Sequence, residues 1–340
     1  MTSPDANHPM PTPLDEQDSK MTATPSSLLS VDHRFRAMGS TTHVVGVTTD
    51  SAAAADLLNA IEDRVEELES RWSRFRDDSE ISTLNANAGE WVEVSDDTVR
   101  LMRAAQHGWS IGAGFFDPTV LGDVIRAGYD RTLEDVIAAP HAGSSLLRDG
   151  IGEIEVEANR IRLPEGVGFD PGGIGKGLTV DTIIEEFLGG DVAGLLINMG
   201  GDLRVAGLGP DATTWTINLD YEGSDQPLAT VGLIAGAVAT STTLKRHWDI
   251  DGQRKHHLID PRSGEPSDSQ IDHVAVIAST ATEAEILAKA TLIRGGAHPF
   301  DLIDGTDCEA LIVNSDRTVE YSRGFTHFTA GLEPAKVVAM

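Results

Sequence analysis

The stretch Phe169-Asp170-Pro171-Gly172-Gly173-Ile174-Gly175-Lys176-Gly177-Leu178-Thr179-Val180-Asp181 constrains this chain more than any other. Four of the six positions from Gly172 to Gly177 are glycine, so the backbone N–H groups there have no side-chain cover. From Leu178 to Leu188 the spacing of Val180, Ile183, Ile184 and Phe187 puts apolar residues on one face of a helix. A glycine loop opening onto a helix N-terminus can seat an anion, because free N–H groups and the helix dipole both favour negative charge. Lys176 adds a positive charge at the mouth, and Asp170 places a carboxylate in front of it. The run is neither a Walker loop, which needs Gly-Lys-Ser/Thr, nor the Gly-x-Gly-x-x-Gly dinucleotide fingerprint. Alone, such a turn serves a structural crossover as well as a phosphate cradle, and the rest of the chain has to decide.

A length of 340 residues suffices for one large domain or two modest ones. The net charge of −28 argues against nucleic acid or an anionic membrane as partner, and it makes a phosphate ligand dependent on a local positive pocket. A single cysteine, Cys308, excludes an internal disulfide and any Cys-based metal cluster. No apolar run is long enough to insert into a membrane. Residues 1–30 are rich in Pro, Asp, Ser and Thr and lack the basic start and apolar run of a signal peptide. The expectation is a disordered leader on a cytoplasmic protein, with residues 31–340 forming the folded domain.

Periodicity predicts strands at His43–Thr48, Leu195–Asn198, Trp215–Asp220, Leu228–Val238, Val274–Ala278, Ala310–Val313 and Val319–Ser322. It predicts helices at Ala52–Phe75, at Asp96–Ile111 (capped by Ser95 or Asp96) and at Thr282–Gly295. A hairpin turns at Ala158-Asn159, and Met199-Gly200-Gly201-Asp202 is a tight turn. Strands and helices mix without regular alternation, which favours α+β over a doubly wound sheet.

Several polar residues each have an ordinary explanation. His257, expected on a strand with His256 facing the other way, suits a base, a metal ligand or a structural hydrogen bond. Asp117 and Asp202 suit turns, Met38 suits the core, and Glu285 with Lys289 suits a surface ion pair.

Taken in order, however, these segments form a pattern. Met38-Gly39-Ser40, Ser79-Glu80-Ile81-Ser82-x-Leu84-Asn85, Phe116-Asp117-Pro118-Thr119-Val120 and the glycine stretch come first. Asn198-x-Gly-Gly-Asp202, Ala239-Thr240-Ser241, His257-x-Ile-Asp-Pro-Arg-Ser-Gly264 and the late helix Ala284–Ala290 follow. The set resembles the FAD:protein FMN transferases, the ApbE family, over roughly residues 34–331. The resemblance implies an α+β fold of mixed, largely antiparallel sheets with packed helices. It also implies an enzyme that, with Mg²⁺, moves FMN from FAD onto a Ser or Thr of a client protein and releases AMP.

By that resemblance Met38, Phe115, Phe116, Asp117, Asp170, Lys176 and Ile259 line the flavin nucleotide site, and His257 is the base that deprotonates the client hydroxyl. Metal in the family is held by a loop carbonyl, matching Gly173, and by a carboxylate and a hydroxyl one helical turn apart, matching Glu285 and Lys289. Here the chain departs from the pattern. Glu285 stands for the usual Asp and keeps an oxygen donor with longer reach, whereas Lys289 stands for the usual Thr and puts an ammonium where a cation belongs. Hydrolysis of FAD to FMN and AMP, and FAD binding without catalysis, are the alternatives.

Overall fold

Val274, Val276 and Ala278 pack on one side of the strand Ile271–Ala278, Ala275 and Ile277 pack on the other, and all are buried. A two-residue period with both sides apolar requires a sheet covered on both faces. The computed structural model, which describes residues 28–129, 150–245, 247–250 and 253–329, shows that sheet. Its eight strands run in the order Leu29–Ala37, Ser40–Thr48, Val192–Met199, Asp202–Gly207, Gly236–Thr242, Ile271–Ala278, Glu309–Asn314, Val319–Tyr321. Every neighbouring pair is antiparallel. Leu29 and Ser30 belong to the sheet although they fall within the expected leader, whose residues 1–27 lie outside the described residues.

Among the described residues, six α-helices complete the α+β architecture: α1 (Ser51–Trp72), α2 (Glu80–Ala86), α3 (Asp96–Ile111), α4 (Leu121–Arg126), α5 (Gly175–Phe187) and α6 (Ala281–Arg294). Ile61 and Val65 of α1, Val180 and Ile183 of α5, and Leu287 and Leu292 of α6 bury one face of the sheet. The hairpin Trp215–Leu219/Ala229–Leu233 and the short turn Phe325–Phe328 bury the other. A third core joins the end of α1 to α2, α3, α6 and a small three-stranded sheet. No helix among the described residues is long and apolar enough to cross a membrane.

The expected strand Leu228–Val238 is two strands. Ala229–Leu233 pairs with Trp215–Leu219, and Gly236, at φ 141°, lets the chain cross into the main sheet. Helix α1 stops at Trp72, short of Phe75. His257 follows the strand Gln253–His256 at a bend rather than lying within it. Helix α5 begins at Gly175, earlier than periodicity indicates, so Gly175, Lys176 and Gly177 form its first turn. A Cβ at Gly177 would lie 2.5 Å from the Ala281 carbonyl oxygen, so glycine is what lets α5 approach the start of α6.

Candidate active site

Ala37 pairs with Ser40, leaving Met38 and Gly39 as a two-residue turn with φ of 47° and 66°. Two positive φ angles make the tight turn that suits twisted strands, and a non-glycine residue there is under backbone strain. The Met38 side chain packs against the core, where the Thr179 hydroxyl lies 3.6 Å from its sulfur. Beside this turn opens a cavity of about 1040 Å³. Met38, Phe115, Phe116, Asp117, Asp170 and Lys176 line it, as do Gly173, His257, Ile259 and Lys289. Of the residues assigned to the nucleotide, base and metal roles, Glu285 is the one off the wall, buried beneath it at 5% exposure.

The glycine stretch is anchored from a distance. Asn85, at the end of α2, accepts the Phe169 N–H at 2.7 Å and donates to the Phe169 carbonyl at 2.9 Å. Asp170 accepts the Gly172 N–H at 2.9 Å, and its other oxygen lies 3.4 Å from Arg74 Nε. The Arg74 guanidinium sits 4.1 Å from the centre of the Phe75 ring and 4.9 Å from that of Tyr129, and it donates to the Tyr129 carbonyl at 2.8 Å. Flat cations are held well by ring faces and a carboxylate together.

Helices α5 and α6 cap each other. Asp181 of α5 accepts the N–H groups of Ala281 and Thr282 at 2.9 Å each, and also the Arg204 guanidinium at 3.0 Å. In return, Glu285 of α6 accepts the Gly177 N–H at 2.7 Å. Its second oxygen lies 3.3 Å from the Lys176 ammonium, which also pairs with buried Asp202 from the turn after Met199. An ammonium in the first turn of a helix is opposed by the dipole, and these two carboxylates offset that. Lys289, one turn beyond Glu285, reaches along the loop: a Cβ built on Gly173 would run into its ammonium and lie 2.6 Å from its Cε.

Across the cavity stands His257. Its ring meets Tyr129 edge-on at 6.4 Å, and Tyr129 stacks on Trp248 at 5.8 Å, whose Nε1 donates to the Ala127 carbonyl at 2.8 Å. The adjacent His256 is turned inward. Its Nδ1 accepts the Leu258 N–H at 3.3 Å and its Nε2 lies 3.1 Å from the Ser267 carbonyl, so both ring nitrogens of His256 are engaged with the backbone. Asp117 accepts both the N–H and the hydroxyl of Thr119, at 2.7 and 2.6 Å, and so fixes the turn that presents Phe115 and Phe116. The Arg262 guanidinium lies 4.3 Å over Phe115 and chelates Asp260. Burial opposes the Asp260 charge, but hydrogen bonds from Arg262 outweigh it and hold the carboxyl below its ordinary range.

The wall therefore offers rings, two ammoniums and a histidine. Sequence reasoning missed Arg74, Tyr129 and Trp248, and it gave no role to Asn85 or Asp181, although both stand inside its motifs. Arg74-Phe75 just past an amphipathic helix, and Asn85 closing a short one, were the available signals.

Magnesium requires six oxygen donors in near-octahedral array. Glu285 already engages Gly177 and Lys176, and the side chain beside Gly173 is an ammonium rather than an oxygen. Among the described residues, no group of three or more His, Cys, Asp or Glu is placed to hold a metal. These residues do not fit the family's metal.

The model of the ApbE family matches residues 38–312. An FAD:protein FMN transferase of Treponema pallidum is 28% identical over 276 residues, covering 74% of this chain and 75% of that protein. Another, of Vibrio cholerae, is 25% identical over 284 residues, covering 81% and 85%. The crystal structure of an ApbE protein from Thermotoga maritima superposes with a TM-score of 0.80 at 26% identity, over 88% of this chain and 99% of that one. The apo flavinyl transferase ApbE of Pseudomonas stutzeri shares the fold at a TM-score of 0.79 and 24% identity, over 91% and 100%.

Proposed function

The chain belongs to the ApbE family, and from that premise we propose that it is an FAD:protein FMN transferase, moving FMN from FAD onto a Ser or Thr hydroxyl of a client protein and releasing AMP. The observation that carries this reading is the convergence of the sequence motifs on one cavity, whose wall holds both His257 and the loop that opens α5. At about 1040 Å³ the cavity exceeds the usual range of about 300–1,000 Å³ for small-molecule sites, as a dinucleotide would need. Phe75, Phe115 and Tyr129 give the cavity an aromatic lining suited to flat heterocycles.

In this reading the client oxygen attacks the phosphorus on the FMN side of the pyrophosphate. One P–O bond forms there, and the bond from that phosphorus to the bridging oxygen breaks. The hydroxyl proton passes to His257, and AMP departs with the bridging oxygen and its electron pair. Charge accumulates on the departing phosphate, where the Lys176 ammonium at the start of α5 stabilises it. No step is routed through a metal. The cytoplasm as the place of transfer belongs to the same reading.

The test is to incubate the purified chain with FAD and purified candidate clients, measuring AMP and protein-bound flavin fluorescence after denaturing electrophoresis. The expected result is AMP in equal amount to covalent flavin. AMP without labelled client would establish hydrolysis instead, and FAD bound with no AMP formed would reduce the chain to a binding protein. Labelled client recovered only from outside the membrane would move the reaction to another compartment.

A further inference from the structure

We propose that the Lys289 ammonium stands in for a metal ion beside Gly173, so that this chain binds and cleaves FAD with a built-in cation. The proposal rests on the flavin-transfer reading for its chemistry and on the geometry of α5 and α6 for its place. Lys289 is half-buried and lines the cavity, with the end of its side chain against Gly173. It therefore does not belong to a solvent-facing ion pair on the far side of the helix.

Charge shows why a cation is needed there. Asp202 and Glu285, both buried, face a single ammonium from Lys176. Two carboxylates against one ammonium leave the floor of the site negative, next to the α5 N-terminus where a pyrophosphate would bind. At short range in a partly dry site such repulsion is severe. Lys289 restores neutrality without any ion from solution, and its three N–H donors can reach phosphate oxygens.

The same arrangement disfavours magnesium. Glu285 caps Gly177 and contacts Lys176, so recruiting it to a metal would uncap α5. Two ammoniums at the site repel a dication, and the hydroxyl that would complete an oxygen set is absent. A lysine carries half the charge of the ion it replaces. The trade is a weaker electrophilic pull on the phosphates against independence from free magnesium.

The experiment measures FAD affinity by flavin fluorescence, and AMP release with a client, for the intact chain, Lys289→Thr and Lys289→Met, each in excess EDTA and in excess MgCl₂. The intact chain should give affinities and rates that agree within about twofold in the two conditions. Lys289→Met keeps an unbranched side chain one atom shorter and without the charge, and should bind FAD at least about tenfold more weakly in EDTA. Lys289→Thr should show the same loss in EDTA, largely recovered by MgCl₂, and calorimetry should detect magnesium binding to this variant but not to the intact chain. Thermal melts establish that both variants are folded.

Loss of the intact chain's FAD affinity in EDTA, restored by magnesium, would overturn the proposal. So would a Lys289→Met variant that binds FAD in EDTA as the intact chain does. If no protein releases AMP under any condition, the transfer reading fails, while the affinity and calorimetry arms still judge Lys289.

Discussion

The loop Asp170–Lys176 and helix α6 meet across one cavity, yet the loop presents mainly backbone and the helix presents side chains. The loop's N–H groups are set by glycine, by the Asn85 clamp on Phe169 and by the approach of α5 to α6 at Gly177. Changing any of these shifts the chain path itself. On α6 the helix is fixed by Thr280, Asp181 and its buried apolar face, none of which depends on what stands at position 289. The backbone-built wall cannot change without moving the chain, whereas the side-chain wall can take a different residue at position 289 and leave the helix in place. A binding site varies first where variation leaves the fold alone.

Removing His257 separates reaction from both walls. His257→Ala should lower transfer by about 10²–10⁴-fold, the usual contribution of a general base, while FAD affinity stays within about tenfold. His256→Ala should behave oppositely: transfer persists, and stability falls by about 1–2 kcal/mol, because the Leu258 N–H and the Ser267 carbonyl lose a buried partner. Single-turnover AMP release together with urea melts reads both. A reversed pattern would exchange the roles of the two histidines.

Asp181 ties the walls together. Asp181→Ala leaves the first N–H groups of α6 without their acceptor and Arg204 with Glu185 at 3.7 Å, a loss of about 3 kcal/mol by analogy with broken buried pairs. Urea unfolding measures it, and a loss under about 1 kcal/mol would mean that the two helix ends are held by packing alone.

Much of the loop wall was legible because its signals are local. Four glycines, a lysine and an apolar period sit within a few residues of each other, and α3 matched its expected span because Ser95 caps a strong apolar repeat. The start of α5 was hidden for the opposite reason: glycine lowers helix propensity, and only the packing of Gly177 on Ala281, far along the chain, explains a helix there. Asn85, Arg74 and Tyr129 were invisible as site residues, since each acts on a partner dozens of positions away. The strand break at Gly236 likewise depends on which layer each half joins. On α6 the residue types were plain, but their use was not. Nothing in the spacing of Glu285 and Lys289 reveals that Glu285 caps another helix, and acid-first spacing equally describes a surface pair.

Lys176 belongs to the loop wall by position and to the α6 wall through Glu285, so its removal sharpens the contrast between charge and shape. Lys176→Ala should weaken FAD by about tenfold, roughly 1.4 kcal/mol, and riboflavin by less than about twofold, since only FAD brings a pyrophosphate. Paired fluorescence titrations decide it, and equal losses for both ligands would remove Lys176 from the phosphate site.

The smallest expected effect probes the contact between the walls directly. Gly173 is outside the left-handed region, so its backbone accepts alanine. The three atoms nearest the added methyl all belong to the end of the Lys289 side chain, with Cδ at 3.0 Å, and a flexible chain can swing aside. Gly173→Ala should therefore leave stability within about 0.5 kcal/mol. It should weaken FAD in EDTA by about threefold, because the ammonium moves away from the phosphates, a change of roughly 0.6 kcal/mol. In a Lys289→Thr background the same substitution has nothing to displace and should leave FAD affinity in EDTA unchanged. The coupling energy between the two sites is then the whole single-variant effect, as expected for residues in direct contact. If Gly173→Ala weakens FAD equally in both backgrounds, the methyl acts on the ligand itself. The two walls then touch the nucleotide independently, rather than through the lysine.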